Sequence, residues 1–264
     1  MKALSTILLL TVWIIPTAPH AADACPRIVS QSPYITHTLQ WMGLGDCIVG
    51  VSRYSKLDLP KTGGIFDPDH TAIAALEPDL LLTSHWTKAE IWSGLTPKGA
   101  RSARLKGFGS MDEVAENIRI IGKLADVTAA DEMAAQFSKQ WRTLASGLQN
   151  RGQRVLLLSA CSGNPYSYGK GSWLHQLFSK AGFKVVEPKR LRAVKMGEKI
   201  DTLASLIDEL KPEKILLFSR KDATQCALLQ SRLPIQITPL DGDIFLHPAP
   251  TLLDGLLQIQ STPF

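Results

Sequence analysis

Two segments of this chain turn the same corner. "ALEPDLLLTSHW" (75–86) runs from a helix-like stretch through Pro78 into an apolar strand, and "DELKPEKILLFS" (208–219) does the same through Pro212. Proline disfavours helical geometry in the residue before it, so each corner ends a helix and releases an extended run. The runs that follow, "LLLTS" and "KILLFS", are apolar almost throughout, as strands are when helices cover both faces of a parallel sheet. A chain that builds this unit twice is held to α/β architecture.

The surrounding pattern agrees. Ahead of the first corner come a short strand at 28–30, a helix over "YITHTLQWMGLG" with Ile35, Leu39 and Met42 on one face, and the buried strand "CIVGVS". A helix over "DPDHTAIAALEPD" starts near Asp69 and ends by Glu77. After the corner, "PKGARSARLKGF" reads as loop and weak strand and "MDEVAENIRIIGKLAD" as amphipathic helix. The stretch 128–149 stands apart, with Thr128 as its cap, Asp131 three residues on, and an apolar stripe of Met133, Phe137, Trp141, Leu144 and Leu148. It is long enough, at roughly 30 Å, to bridge two lobes.

The alternation then restarts. "VLLLSA" is a strand, "CSGNPYSYGKGS" a glycine- and aromatic-rich loop, "WLHQLFSKAG" a helix and "KVVE" a strand. The helix "DTLASLIDEL", strand "KILLFS", helix "ATQCALLQSR", strand "IQITPL" and a last helix from Pro250 follow. The expected fold is α/β, two Rossmann-like lobes with parallel sheets joined by one long backbone helix. The expected boundaries are a leader over 1–24, a first lobe over 25–127, the linking helix over 128–149 and a second lobe over 150–264.

The leader reading rests on Lys2, the apolar core "LSTILLLTVWII", Pro16 and Pro19, and small residues at Ala22 and Ala24 that fit an A-x-A cleavage site. The apolar run is too short for a membrane span. An exported, periplasmic protein is expected, with Cys25 first in the mature chain; Asp23 fits a lipobox poorly, so no lipid anchor is assigned. The four cysteines suit an oxidising compartment. Their spacing suggests the pairs Cys25–Cys47 and Cys161–Cys226, and no C-x-x-C is present to indicate redox or zinc chemistry. The net charge of +5 is mild and scattered. Its one basic run, "EPKRLRAVK" (187–195), reads as a solvated loop rather than a binding rim, and nothing resembles a nucleic-acid platform.

In open parallel sheets, ligands sit outside the carboxyl ends of the strands. Those positions hold Ser32, Pro33, Tyr34, His37, Arg53, Tyr54, His85 and Trp86 in the first lobe, and Asn164, Tyr166, Tyr168, Arg220, Asp243, Phe245 and His247 in the second. Aromatic and hydrogen-bonding groups recurring there suit a cleft between lobes. No G-x-S-x-G, P-loop, G-x-G-x-x-G or H-E-x-x-H is present, "GFGS" (107–110) is a lone glycine pair, and no enzyme activity is expected. His37, His85 and His247 are the candidates for direct metal-ion binding, but no spacing supports coordination and no metal ligand is assigned.

"RIVSQSPYITHTLQWMGLGDCIVGVSRYS" and "GGIFDPDHTAIAALEPDLLLTS" resemble the first lobe of periplasmic binding proteins for cobalamin and ferric siderophores, the helical-backbone class (class III) of ABC importer receptors. "NPYSYGKGSWLHQLFSKAGF" and "HPAPTLLDGL" are similar to the second lobe. The resemblance covers nearly all the mature chain in the correct order. It implies a monomeric receptor that captures a corrinoid or ferric siderophore for an inner-membrane ABC permease, with no cofactor of its own. It also implies Tyr34, Tyr54, Trp86, Tyr166 and Phe245 as ligand contacts, with Arg53 and His247 as polar anchors.

Departures from that pattern are specific. The family's permease-docking glutamates, seven residues before each corner proline, are replaced here by Thr71 and Ser205. Asp69 and Asp201 lie nearby as substitutes. His37 stands where the "SPxxTE" motif has its glutamate, and His247 where an arginine is common. These departures motivate an alternative, a periplasmic accessory protein that keeps the binding fold but serves a partner enzyme or pathway.

Overall fold

The computed structural model describes residues 25–148, 152–160, 165–194, 202–219 and 235–261. The expected leader, Cys161, Asn164, Asp201, Arg220 and Cys226 lie outside the described residues. The first sheet is fully parallel and has the order β2-β1-β3-β4. Its strands are β1 (Ile28–Ser30), β2 (Ile48–Val51), β3 (Leu80–Ser84) and β4 (Arg101–Leu105). All five residues of β3 are buried, as the unbroken apolar run after Pro78 requires.

Helices α1 (Pro33–Trp41), α2 (His70–Ala75), α3 (Ala89–Leu95) and α4 (Met111–Leu124) complete this lobe. Local chemistry fixes their starts. Pro33 occupies the first turn of α1, Asp69 accepts the Ala72 N–H at 2.9 Å, and Ser110 accepts the Glu113 N–H at 3.2 Å. The expected Cys25–Cys47 disulfide is present and ties the chain ahead of β1 to the turn before β2.

Helix α5 (Ala130–Gly147) is the expected linking element. Its start differs from the sequence reading: the residue before it is Ala129, without a side-chain cap, and Thr128 is exposed one position further out. Ala134, Phe137, Trp141 and Ala145 form the buried stripe of α5, and the core cluster that contains them takes in residues of both lobes.

The second sheet corrects the expectation of a parallel arrangement. Strands β5 (Arg154–Ser159), β9 (Lys214–Ser219) and β10 (Gln236–Asp241) are parallel, as is the short β7 (Lys184–Val185) beside β5. However, β6 (Tyr166–Tyr168) runs antiparallel to β5 and to β8 (Leu191–Ala193). The aromatic segment read as loop is therefore a strand. Only 160–165 separate β5 from β6, enough for a hairpin and too short for the crossover that parallel pairing needs. Helices α6 (Trp173–Lys180), α7 (Thr202–Leu210), α8 (Gly242–Phe245) and α9 (Leu252–Ser261) pack around this sheet. Among the described residues, no helix is long and apolar enough to cross a membrane.

Candidate functional site

A cleft of about 580 Å³ lies between the lobes, lined by Phe66, Trp86, Phe108, Tyr166, Tyr168, Ser172, Trp173, Arg190, Leu191 and Leu246. The first-lobe wall is set by the turn after β4. Phe108 sits between Gly107, at a φ of 146° that a side chain rarely adopts, and Gly109. The Glu113 carboxylate accepts the N–H groups of both glycines, at 2.9 and 2.8 Å, and so holds the turn against α4. Trp86 stacks on Phe108 at 4.2 Å between ring centroids, with 18° between the planes. Trp86 is still 39% exposed, so part of its surface faces the cleft.

The opposing wall belongs to the second lobe. Trp173 opens α6 and meets Phe108 edge-on at 5.3 Å, so the two walls touch at the floor. Its indole N–H donates to the Phe245 carbonyl at 3.0 Å. Tyr168 packs edge-on against Trp173 at 5.4 Å and donates its hydroxyl to Ser159 at 3.3 Å. Burial pushes the Tyr168 phenol pKa up, which keeps it a neutral donor. Leu191, on β8 and paired with Tyr168 of β6, and Arg190 beside it complete this side.

Of the strand-end residues offered as ligand contacts, Trp86, Tyr166 and Tyr168 line the cleft. His85 stands beside Trp86 with its ring 5.8 Å away, and its Nδ1 lies 3.3 Å from the Leu105 carbonyl. Desolvation, more than any other cause, holds the His85 pKa below its ordinary value. Tyr34 and Phe245 are 1% and 0% exposed. Tyr34 donates its hydroxyl to the Leu105 carbonyl at 2.8 Å and backs Phe108 edge-on at 5.2 Å, whereas Phe245 is packed against Phe178 and Phe218. Both support the walls from behind and offer the cleft no surface. Arg53 is paired with Asp67 at 2.6 Å and Tyr54 is largely exposed, both on the loop leading to Phe66.

His37 and His247 form a pair of their own, edge-on at 5.1 Å across the lobe boundary. The His37 Nδ1 is buried without a hydrogen-bond partner, while the His247 Nδ1 lies 2.8 Å from the Asp243 carbonyl. Next to them Lys56 of the first lobe bridges Asp243 of the second at 2.7 Å. Among the described residues, no group of three or more His, Cys, Asp or Glu is placed to hold a metal ion. The three histidines offered for such a site are thus not gathered into one.

Sequence reasoning missed Phe66, Phe108, Ser172, Trp173, Arg190, Leu191 and Leu246. Two signals were at hand: "GFGS" presents an aromatic between two glycines, and the basic run 187–195 carries Arg190 and Leu191. At the expected docking positions, Thr71 and Ser205 are exposed on α2 and α7, and Asp69 is used as the α2 cap.

No protein-family model matches the sequence. Among curated proteins it is similar to the vitamin B12-binding protein of Vibrio cholerae, 26% identical over 172 residues that cover 59% of each chain. It is also similar to the vitamin B12-binding protein of Yersinia pestis, 29% identical over 165 residues, 56% of this chain and 51% of the relative. The matches thus span little more than half the length of those relatives. Among solved structures, the periplasmic heme-binding protein HutB of Vibrio cholerae superposes with a TM-score of 0.72 at 16% identity, over 89% of this chain and 97% of its own. The periplasmic vitamin B12-binding protein BtuF of the same organism gives 0.69 at 20% identity, over 90% and 96%. The chain has the class III periplasmic binding-protein fold. A siderophore-binding protein, BauB, shares that class III fold with a TM-score of 0.66 at 17% identity, over 89% of this chain and 92% of its own. The three superposed structures are named for different ligands, so the shared fold does not name one.

Proposed function

We propose that this chain is the substrate-binding protein of an ABC importer, exported to the periplasm, and that it captures a metal chelate in the interlobe cleft without making or breaking a bond. The observation that carries this reading is the cleft itself. Stacked and edge-on aromatic rings from both lobes meet there with a few hydroxyl groups, which suits a large ring-bearing ligand. The relatives named for vitamin B12, heme and a ferric siderophore support the same class. Isothermal titration against cyanocobalamin, haemin and a panel of ferric siderophores tests it. At least one is expected to bind with a Kd near or below ~1 µM, and heatless titrations with all of them overturn the proposal.

One observation favours a second reading, an accessory role for a partner enzyme or pathway. Thr71 and Ser205 put uncharged, exposed side chains where the resemblance implies permease-docking glutamates. Uptake of the bound chelate by a strain deleted for this gene separates the two. Loss of uptake supports the importer role, and normal uptake supports the accessory one.

A further inference from the structure

We infer that Arg190 selects the ligand, and that the cleft takes a chelate whose rings carry negatively charged oxygens for that guanidinium to bind. This rests on the binding-protein reading above and narrows its ligand class. Among the described residues, Arg190 is the one arginine whose guanidinium has no hydrogen-bond or ion-pair partner. The others hold carboxylates or carbonyl oxygens, as Arg101 holds Asp126 at 2.8 Å and Arg104 the His85 carbonyl at 2.6 Å. An unpaired arginine in open solvent is ordinary. This one, although exposed, borders a cleft of aromatic and aliphatic side chains and is the only charged residue among the described residues that line it.

The backbone beneath it is strongly anchored. The Glu187 side chain, fully enclosed, receives the Lys189 N–H at 2.9 Å, the Ser167 hydroxyl at 2.8 Å and the Arg192 guanidinium at 3.0 Å. A buried carboxylate is tolerated only when its acceptor sites are filled this fully. Gly169 allows the approach: a Cβ there would lie 1.9 Å from the Glu187 carbonyl oxygen. The segment between Glu187 and Arg192 is therefore pinned to β6 on both sides of Arg190, while the Arg190 side chain itself is left uncommitted. The backbone that carries Arg190 is thus fixed beside the cleft, and its guanidinium is free to turn onto a ligand as a fork for paired anionic oxygens.

The ligand chemistry could come from a porphyrin carboxylate or from a catecholate, and the test separates them. Haemin, ferric tris-catecholate, a neutral ferric trihydroxamate and cyanocobalamin are titrated into the full mature protein and into Arg190→Gln. Either haemin or the tris-catecholate is expected to bind tightest. Arg190→Gln is expected to weaken that complex about 10- to 100-fold and to leave the thermal midpoint unchanged. If haemin is the ligand, haemin dimethyl ester loses the same factor on the wild type without any change to the protein. Preference for the neutral trihydroxamate or cyanocobalamin, or an Arg190→Gln affinity equal to wild type, overturns the role of Arg190 while leaving the binding-protein reading intact. Failure of all four to bind overturns both.

Discussion

Trp86 and Tyr34 show how little a residue's type says about its role until its depth is known. Both are aromatic and both follow a strand, yet one faces the cleft and the other is enclosed behind it. Trp86→Ala removes a stacking surface and is expected to weaken ligand binding about 10- to 100-fold while changing stability little. Tyr34→Phe deletes a buried hydroxyl that donates to the Leu105 carbonyl, so it is expected to cost about 1 kcal/mol of stability and leave Kd unchanged. Urea melts and titrations on the two variants check the assignment, and the reverse pattern would exchange the roles. Aromatic residues after strands were legible in the sequence because the strand ends were; their depth was not, since it depends on packing from elements far along the chain. Phe108 was legible only as an aromatic between two glycines: Glu113 holds Gly107 and Gly109 from a few residues away, but the place of Phe108 in the cleft depends on Trp173 of the second lobe.

His37 adds a pH dependence whose sign is fixed by burial. Desolvation pushes its pKa below the ordinary value, with Asp243 opposing and Lys56 reinforcing that shift. From about pH 6.5 downward the unfolded chain takes up a proton that the folded one refuses, so stability falls as pH drops through that window and is flat above it. His85 and His175 are shifted in the same direction, also chiefly by desolvation, and contribute alike. Chemical denaturation at pH 7.5 and pH 5.5 is expected to show lower stability at the acid end, and a smaller difference for His37→Asn. An identical difference in that variant would remove His37 from the effect.

At the scale of elements, the twin corners are more alike in space than in sequence. Glu77 and Lys211, each before its proline, have φ of 44° and 46°, the left-handed turn that ends each helix. Arg27 at the head of β1 donates to the Leu76 carbonyl at 2.8 Å and to that of Glu77 at 3.3 Å. Arg154 at the head of β5 donates to the carbonyls of Leu210 and Lys211. The backbone N–H of each arginine in turn reaches the acidic residue after the proline, Asp79 at 2.8 Å and Glu213 at 3.1 Å. Each lobe thus closes the exposed end of a helix with an arginine from the neighbouring strand. The prolines were legible because their effect is local, whereas the arginines were not because the bonds span tens of residues of sequence. Similarly, the antiparallel β5–β6 pairing escaped the parallel expectation because a short linker, not strand composition, sets strand direction. Arg27→Ala and Arg154→Ala are each expected to lower stability by about 1 kcal/mol, near 2–4 °C in midpoint. Scanning calorimetry on the singles and the double is expected to show additive losses, since the two clamps sit in different lobes.

At the scale of the whole molecule, the linking helix was legible from its length and stripe, but the other ties between the lobes were not. Gln176 of α6 accepts the Met111 N–H at 2.6 Å and donates to Asp112 at 3.2 Å, and Asp112 also pairs with Arg142 of α5 at 2.7 Å. The start of α4, the linker and α6 are thereby joined in one polar network. On the cleft side Lys56–Asp243, His37–His247 and Phe108–Trp173 cross the boundary as well. Exposed ion pairs among these are individually weak. The continuous apolar cluster through Phe137 and Trp141 binds the lobes together more strongly, because hinge opening would expose it to water. A cleft held on two sides cannot close like a jaw; it can adjust by side-chain rotation, and such adjustment keeps interface backbone shifts within about 1 Å. Small-angle scattering with and without a saturating chelate is therefore expected to give the same radius of gyration. Gln176→Ala combined with Lys56→Ala is expected to leave that result intact, since the apolar cluster carries the coupling. A compaction of several ångströms on binding by the wild type would show that the lobes hinge, and that the apolar cluster yields when the cleft is filled.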